Sequence, residues 1–228
     1  RDELGAMMDS GEVSYVGKSG SLDFERLQED NPDVVLDSWT ANASYEKARD
    51  KLKELGIPSV SFPASLEDDP RGRLEWIKAI GVLTGMEEEA NAYFEDQLNR
   101  IEKIVAEFGG QENKATIALF RASKSDGSAS YTVKRKDDYS VKMLEFAGGD
   151  YGFKDGVEEG SGTYKLSAED FYALAADTDI LIHENMGPFI DTYEKLFDFG
   201  DFLSDLKASK NKAVYTTNKN YWMAADKL

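Results

Sequence analysis

The chain has 228 residues and carries a formal net charge of −17 at pH 7. This acidity argues against a nucleic-acid partner, because a duplex repels a protein that lacks a basic face. The absence of cysteine excludes disulfides, thiol catalysis and cysteine–zinc sites. No apolar run reaches the roughly 18 residues that a membrane-spanning helix needs.

The first third of the chain predicts a layer of alternating strands and helices. A helix at 21–30 begins at Ser21 or Asp23, and a second helix at 45–55 begins at Ser44 and ends before Gly56. Strand, helix, strand order is typical of a parallel sheet with right-handed connections. The expected strands are GEVSYVG at 11–17, DVVLDSW at 33–39 and IPSVSF at 57–62.

The middle of the chain is predicted to be helical. Apolar residues at helical spacing indicate one helix over 71–83 and a longer one over 86–108, which Gly109 and Gly110 end. At 1.5 Å per residue the longer helix is a rod of roughly 34 Å. It lacks the glycine, proline and serine of flexible linkers, so we expect a stiff connector.

A second α/β region follows this rod. Ser167 is the expected N-cap of the helix over 166–178, and the segment RASKSDGSAS at 121–130 is expected to be a polar loop. The expected strands are 115–120, 179–183 and 213–217, and the other expected helices are 139–147 and 197–209.

The usual motifs of catalysis are absent from the sequence. Neither a Walker A pattern, nor GxGxxG, nor GxSxG occurs, and a single histidine cannot form HExxH. Carboxylate runs such as 87–89 are typical of solvated faces. No pair of carboxylates is fixed by its spacing for acid–base chemistry. The chain is therefore predicted not to be an enzyme.

Aromatic and cationic residues are found instead at or near the predicted strand ends. The carboxyl ends of parallel strands gather around one cleft, so these residues could surround a bulky, partly aromatic and anionic ligand. Alternatively, the aromatic side chains only close the edges of the lobes. The candidate ligand-binding residues are Lys18, Trp39, Arg121, Tyr131, His183, Tyr221 and Trp222.

Four stretches of the sequence resemble one known family. They are SLDFERLQEDNPDVVLDSW, KLKELGIPSVSF, IGVLTGMEEEANAYFEDQLNRIEKI and LSAEDFYALAADTDILI. In their order and spacing they resemble the class III substrate-binding proteins of ABC importers, which bind iron–siderophores, haem or cobalamin.

The resemblance implies an α/β fold of two Rossmann-like parallel-sheet lobes, joined by one long rigid helix, with the ligand cleft between the lobes. The lobes would be 1–84 and 111–228, with the connecting helix at 85–110. Family members usually begin with one more strand and helix and end with one more helix, so both ends of this chain are expected to be trimmed.

In this family, one surface glutamate on each lobe pairs with arginines of the membrane permease. Glu25 matches the position in the first lobe and Glu169 the position in the second, although the helix after Glu169 is two residues longer than the helix after Glu25. Either carboxylate could instead only complement the dipole of its helix.

The role of His183 is open at the level of the sequence. Some haem-binding members ligate iron with a histidine of the second lobe and a methionine of the first, but no methionine here follows a predicted first-lobe strand. His183 could instead hydrogen-bond a siderophore or a carboxylate, or only end its strand. A direct metal-ion carrier has little support, since one histidine is a thin ligand set.

The resemblance implies a non-catalytic capture protein for a ferric siderophore, with no tightly bound cofactor. Haem and cobalamin are the alternative ligands, and an interaction module that uses an acidic face is a further alternative. An enzyme or a metallocluster scaffold on the same two lobes is a contrasting hypothesis. Nitrogenase-like proteins share such lobes, but they need cysteine ligands, and this chain has no cysteine. The implied partners are an ABC permease and its ATPase. The implied location is extracytoplasmic, as a monomer that is either a lipid-anchored cell-surface protein or periplasmic.

Overall fold

Residues 2–18, 20–38, 42–185 and 190–217 are described by the computed structural model of the chain. Contacts between residues divide the chain into two units, Arg1–Leu66 and Glu67–Leu228. The expected boundaries near residues 84 and 110 stay predictions. In this structure the helices Pro70–Glu75 and Ile77–Thr84 pack with the helices that follow them.

The first unit holds a two-stranded parallel sheet and three helices. Helices α1 to α3 are Asp2–Ser10, Phe24–Asp30 and Ala43–Glu54, and strands β1 to β4 are Gly17–Lys18, Ser21–Leu22, Val35–Ser38 and Ser59–Phe62. Strands β3 and β4 pair in parallel from Val35 opposite Ser59 to Ser38 opposite Phe62. The parallel pairing expected for these two strands is confirmed.

Local sequence explains where the helices of the first unit begin. The Asp23 carboxylate accepts a hydrogen bond from the Arg26 amide at 3.0 Å, which is the expected N-cap of α2. The cap of α3 is Asn42 rather than Ser44, since the Asn42 side chain accepts from the Ser44 amide at 2.9 Å. The prediction of a strand over 11–17 is wrong. The segment 11–16 is irregular, and the short β1 that follows it pairs antiparallel with β2.

The helical part of the second unit contains the long helix that the sequence predicts. Helix α6 spans Glu87–Phe108, and it is preceded by α4, Pro70–Glu75, and α5, Ile77–Thr84. The single helix expected over 71–83 is thus two helices that meet at Trp76. The Trp76 indole donates to the Glu67 carboxylate at 3.1 Å, which fixes this junction. The existence of the long helix is confirmed, and its role as a connector between lobes stays a prediction.

The rest of the second unit is a mixed sheet with flanking helices. The strand order is β10-β9-β5-β6-β8, and β7 pairs with β5 beside β6. The strands β5 to β10 are Thr116–Ser125, Ser128–Lys134, Asp150–Tyr151, Thr163–Leu166, Ile180–His183 and Val214–Thr216, and the helices α7 to α10 are Tyr139–Phe146, Ala168–Ala175, Tyr193–Phe197 and Lys207–Lys210.

This part of the second unit corrects three expectations. Strand β5 pairs in parallel with β7 and β9, and β9 pairs in parallel with β10, but β6 is antiparallel to both β5 and β8, so the sheet is not the parallel sheet expected. The segment at 121–130 is not a loop, because β5 continues to Ser125 and returns through a two-residue turn into β6. The helix expected over 197–209 is broken into short pieces around Gly200, whose extended backbone cannot continue a helix.

One face of the mixed sheet covers an aromatic core. Phe120 and Tyr131 both pack on Phe171 of α8, with ring centroids 4.8 and 4.6 Å apart. The Ser167 hydroxyl accepts from the Asp170 amide at 3.1 Å and so caps α8 as expected. This core packs against the first part of β5 and against β6.

Candidate ligand-binding site

The carboxyl ends of β9 and β10 lie side by side in the second unit, next to the middle of β5. In the sheet register, His183 of β9 is opposite Phe120 of β5 on one side and Thr216 of β10 on the other. Such an edge is where ligands collect in α/β proteins. The residues that follow these strands are therefore the candidates for a binding site.

His183 ends the β9 ladder with its side chain. Its exposed fraction is 2%, and its Nε2 accepts a hydrogen bond from the Ala122 amide at 3.2 Å. That amide belongs to β5 beyond the last paired residue of β9, so the imidazole takes the place of the next strand carbonyl. Burial lowers the pKa of His183 to about 4, and the ring is neutral at pH 7.

Asn185 fixes the chain just beyond His183. Its side-chain oxygen accepts from the Ile190 amide at 2.9 Å, and its amide group donates to the Ile190 carbonyl at 2.8 Å. The same group also donates to Thr216 Oγ1 and to the Thr217 carbonyl. One buried side chain thereby holds together three segments at the carboxyl edge.

A buried ion pair lies on the adjoining strands. Lys134 Nζ of β6 is 3.1 Å from an oxygen of Glu184, and the exposed fractions of the two side chains are 10% and 7%. The Tyr151 hydroxyl accepts from the Lys134 amide and donates to the Lys134 carbonyl. Burial raises the pKa of Tyr151 well above its usual value, so this hydroxyl stays protonated.

A cavity of about 80 Å³ opens beside His183 within the second unit. Ile190, Leu196 and Val214 supply aliphatic walls. The polar groups on the wall include His183, Thr192 and Thr216. Apolar walls with a few polar groups are typical of a ligand pocket, although this cavity has room for only part of a large ligand.

Of the predicted ligand residues, Arg121, Tyr131 and His183 are brought together on β5, β6 and β9. Arg121 is half-buried. Tyr131, expected to contact a ligand, is instead fully buried in the core, where its hydroxyl donates to the Phe199 carbonyl at 2.8 Å. It is on a strand and not in a loop, and burial raises its pKa to about 12.

The remaining predicted ligand residues are Lys18, Trp39, Tyr221 and Trp222. Lys18 is exposed at the end of β1 in the first unit. Trp39, Tyr221 and Trp222 lie outside the described residues. The ion pair of Lys134 and Glu184 was not predicted from the sequence, although Glu184 is a polar residue that directly follows the buried strand β9.

Both predicted docking glutamates are exposed in the first turn of a helix. Glu25 belongs to α2 and Glu169 to α8. A carboxylate there faces the positive end of the helix dipole and is free to meet an external cation. Docking of either residue stays a prediction.

Neither a membrane-spanning helix nor a cluster of metal-binding side chains is found in residues 2–18, 20–38, 42–185 and 190–217. None of the helices in these ranges is both long and apolar enough to cross a membrane. In the same ranges, no three side chains of histidine, cysteine, aspartate or glutamate form a group that could hold a metal ion.

Comparison with known proteins identifies relatives over most of the chain. An uncharacterised lipoprotein of Methanocaldococcus jannaschii is 27% identical over 220 residues, which are 96% of this chain and 50% of that protein. A second lipoprotein of the same organism is 28% identical over 98% of this chain and 57% of its own length. The chain thus spans about half the length of the curated relatives it matches.

Solved structures share the fold. The periplasmic haem-binding protein HutB of Vibrio cholerae matches with a TM-score of 0.74 and 17% identity, over 93% of this chain and 78% of that one. The siderophore-binding protein FhuD of Vibrio cholerae, solved with Fe³⁺–Desferal, matches with a TM-score of 0.63 and 16% identity, over 90% and 73%. At these identities the likeness establishes the fold alone.

A family model described as periplasmic binding protein matches residues 1–221, which is nearly the whole chain. The resemblance seen in the four sequence stretches is therefore confirmed. The chain belongs to the periplasmic binding protein family.

Proposed function

We propose that the chain is the substrate-binding protein of an ABC importer, and that it captures a ferric siderophore and delivers it to a membrane permease. Membership of the periplasmic binding protein family supports the capture role. The likeness in fold to a protein solved with Fe³⁺–Desferal supports the ligand class.

The observation that carries this proposal is the cavity at the carboxyl ends of β9 and β10. It combines aliphatic walls with hydroxyl groups, and the half-buried Arg121 lies on the neighbouring strand. Because a siderophore supplies the oxygen ligands of its own iron, the protein needs only to recognise the outer surface of the chelate. No catalytic group is required for that role.

The remaining predicted residues complete the proposed site. Arg121 and Lys18 would offset the negative charge of the chelate, and Trp39, Tyr221 and Trp222 would pack on its flat surfaces. The cleft would lie between two lobes, and the stiff α6 favours a small hinge change on binding. Tyr131 is left out, since its ring is buried in the core.

Haem is the second candidate ligand, because the fold also resembles a periplasmic haem-binding protein. In that case His183 would be an axial ligand of the iron. Its Nε2 lone pair already accepts a hydrogen bond from Ala122. This contact favours the siderophore over haem. Cobalamin remains a further alternative ligand.

A titration with four ligands tests the proposed function. A ferric hydroxamate, a ferric catecholate, haemin and cobalamin are each added while tryptophan fluorescence and absorbance are recorded. We expect saturable quenching by one ferric siderophore. A haemin Soret shift that disappears in His183→Ala would support the haem candidate instead. No saturable response to any of the four would reject ligand capture by this chain.

Docking to the permease is tested separately from ligand capture. Glu25→Lys and Glu169→Lys reverse exposed charges, so ligand titration should be unchanged while transport by the reconstituted importer falls. Glu29→Lys on α2 and Glu159→Lys in the second unit are matched controls at exposed positions. Equal transport by the docking variants and the controls would show that Glu25 and Glu169 serve only their helices.

We also propose an extracytoplasmic location, because two relatives are named as lipoproteins and the family is periplasmic. A lipid anchor on a monomer, either at the cell surface or facing a periplasm, would keep the protein near its permease and ATPase. Fractionation of cells that express the complete gene, with protease added to intact cells, tests this location. Recovery in the cytosol, protected from protease, would overturn it.

A further inference from the structure

The wall of the cavity beside β9 and β10 is mainly apolar. Ile190 and Leu196 form the part that adjoins the hydrophobic core of the second unit, and the half-buried Val214 of β10 packs against the same core. Tyr193 and Tyr215 also line the cavity, with exposed fractions of 38% and 58%. Aliphatic and aromatic surface is therefore open to a small molecule here.

The hydroxyl groups of the two threonines on this wall already have partners within the chain. The Thr216 hydroxyl donates to the His183 carbonyl at 3.3 Å and accepts from the Asn185 amide group. The Thr192 hydroxyl accepts from the Lys195 amide at 3.3 Å. A polar ligand atom would compete with these hydrogen bonds, whereas an apolar group would leave them intact.

The charge on the wall also disfavours an anion. Asp191 is the charged residue that lines the cavity. The hydrogen bond from Lys195 lowers the pKa of Asp191, so its carboxylate is ionised at pH 7 and repels other anions. Arg121, which is proposed to offset the charge of the chelate, does not line this cavity. A neutral group therefore fits the cavity better than the anionic oxygens of a chelate.

Asn185 holds the wall of the cavity in place. Its buried side chain accepts from the Ile190 amide at 2.9 Å, donates to the Ile190 carbonyl at 2.8 Å and donates to Thr216. Two residues of the wall are thus fixed by one side chain. A preformed pocket loses little free energy in ordering its side chains when a ligand binds, so a small apolar group can bind measurably.

We propose that this cavity is a subsite for a short, neutral apolar arm of the ligand, which contacts Ile190, Val214 and Tyr215 while the iron and the anionic oxygens of the chelate stay outside. The ligand class is then a ferric siderophore that carries an aliphatic side arm. This inference deepens the function proposed above and rests on it for the identity of the whole ligand.

Small probes test the cavity without a siderophore. Xenon, 1-butanol and butyrate are each titrated while the methyl NMR signals of Ile190, Leu196 and Val214 are recorded. The last two probes have the same number of carbon atoms, and only butyrate is charged. We expect saturable shifts with xenon and 1-butanol, and about tenfold weaker binding of butyrate.

Variants at Val214 change the volume of the cavity in opposite directions. Val214→Phe should fill the cavity and weaken the binding of 1-butanol about tenfold, whereas Val214→Ala should enlarge it and keep the binding. Val60→Phe is the matched control, because it makes the same change at an exposed position of β4 in the first unit. Urea unfolding of each variant shows whether folded proteins are being compared.

Two ferric trihydroxamates that differ only in an acetyl or a hexanoyl end group test the arm in an intact ligand. Each buried methylene contributes roughly fourfold in affinity, so the hexanoyl compound should bind the wild type about tenfold more tightly, or better. Val214→Phe should remove this advantage and leave the affinity for the acetyl compound nearly unchanged.

Any one of four results would overturn the subsite. They are no saturable methyl shift with xenon or 1-butanol, equal affinity for 1-butanol and butyrate, 1-butanol binding that survives Val214→Phe, and equal affinity for the acetyl and hexanoyl compounds. Failure of the proposed function is distinguishable from these results. If xenon and 1-butanol bind as expected while neither trihydroxamate and none of the four ligands binds, the cavity is an apolar site and siderophore capture is rejected.

Discussion

His183 is a buried base that stays neutral in the folded chain, and this makes stability depend on pH. Its pKa falls from the usual 6.5 to about 4 because burial disfavours the charged ring. Between these two pH values the unfolded chain binds a proton that the folded chain does not. The free energy of unfolding should therefore fall by roughly 3 kcal/mol as the pH drops from 6.5 to 4.

Urea unfolding at a series of pH values measures this effect, with His183→Gln as the control that cannot titrate. The decrease in the free energy of unfolding between pH 6.5 and 4 should be absent from His183→Gln. Carboxylates such as Asp179, whose pKa Lys207 and Thr116 hold at about 2, lose their contribution only below the usual 3.8. An unchanged slope between pH 6.5 and 4 in His183→Gln would contradict the assignment.

Removing one member of the ion pair of Lys134 and Glu184 should lower the free energy of unfolding strongly, whereas replacing both members by apolar residues should lower it little. With exposed fractions of 10% and 7%, neither charge is well solvated by water. Glu184→Gln should destabilise the second unit by about 3 kcal/mol, because it removes a negative charge 3.1 Å from a buried ammonium group. The double variant Lys134→Met, Glu184→Leu should recover most of that loss.

Chemical denaturation of the wild type, both single variants and the double variant gives the coupling energy of the pair. If Glu184→Gln costs less than ~0.5 kcal/mol, the pair contributes no more than an exposed surface pair. If the double variant is no better than the singles, the site needs these charges for its local structure.

At the scale of elements, the turn between β5 and β6 depends on backbone conformation. Asp126 and Gly127 form the two-residue loop, with φ of 50° and 80°, as a type I′ turn requires. A Cβ on Gly127 would meet no atom within 4 Å, so only the backbone conformation opposes a side chain. Gly127→Ala should cost about 1 kcal/mol.

Asp126→Asn is the matched control, since asparagine also tolerates positive φ and should be nearly neutral. Hydrogen exchange of the β6 amides is the measurement. Faster exchange in Gly127→Ala alone is the expected result. Equal exchange rates of the β6 amides in both variants would mean that pairing with β8 protects β6 independently of the turn conformation.

The same hairpin explains where prediction from sequence succeeded and failed. The clear apolar period of α6 predicted both its ends within one residue. For α8, which Ser167 caps, the predicted start is two residues early and the predicted end is three residues late. The segment 121–130 is polar and lacks the alternation of apolar and polar residues that predicts a strand, so the sequence predicts a loop there. Its strand structure comes from cross-strand pairing, although the Asp126-Gly127 dipeptide was a local signal of a turn.

The candidate site was predictable to the same degree. A polar residue after a buried apolar strand pointed to His183 and to the edge on which it lies. The partner of His183 could not be found, because the Ala122 amide is available only when β5 extends past the end of β9. The burial of Tyr131 was missed for a related reason. Tyr131 lies on β6, paired with β5, and in that position its ring is in the core.

At the scale of the whole chain, the two units differ in how much apolar surface they bury. Among the described residues of the first unit, Leu27 and Leu52 are the buried hydrophobic side chains, whereas Leu36 and Val60 on its sheet are exposed. The second unit has a continuous core around Phe120 and other strand residues. Stability follows buried apolar area, so the first unit should open more easily.

Hydrogen exchange followed by mass spectrometry tests this difference. Peptides that cover β3 and β4 should exchange faster than peptides that cover β5 and β9, and they should do so in mild denaturant before the second unit responds. Leu27→Ala and Leu181→Ala are a matched pair, because each truncates a buried leucine of one unit. Leu27→Ala should speed exchange only in the first unit, and Leu181→Ala should destabilise the second. If either variant speeds exchange equally in both units, the chain unfolds as one cooperative body and buried area within each unit does not govern its opening.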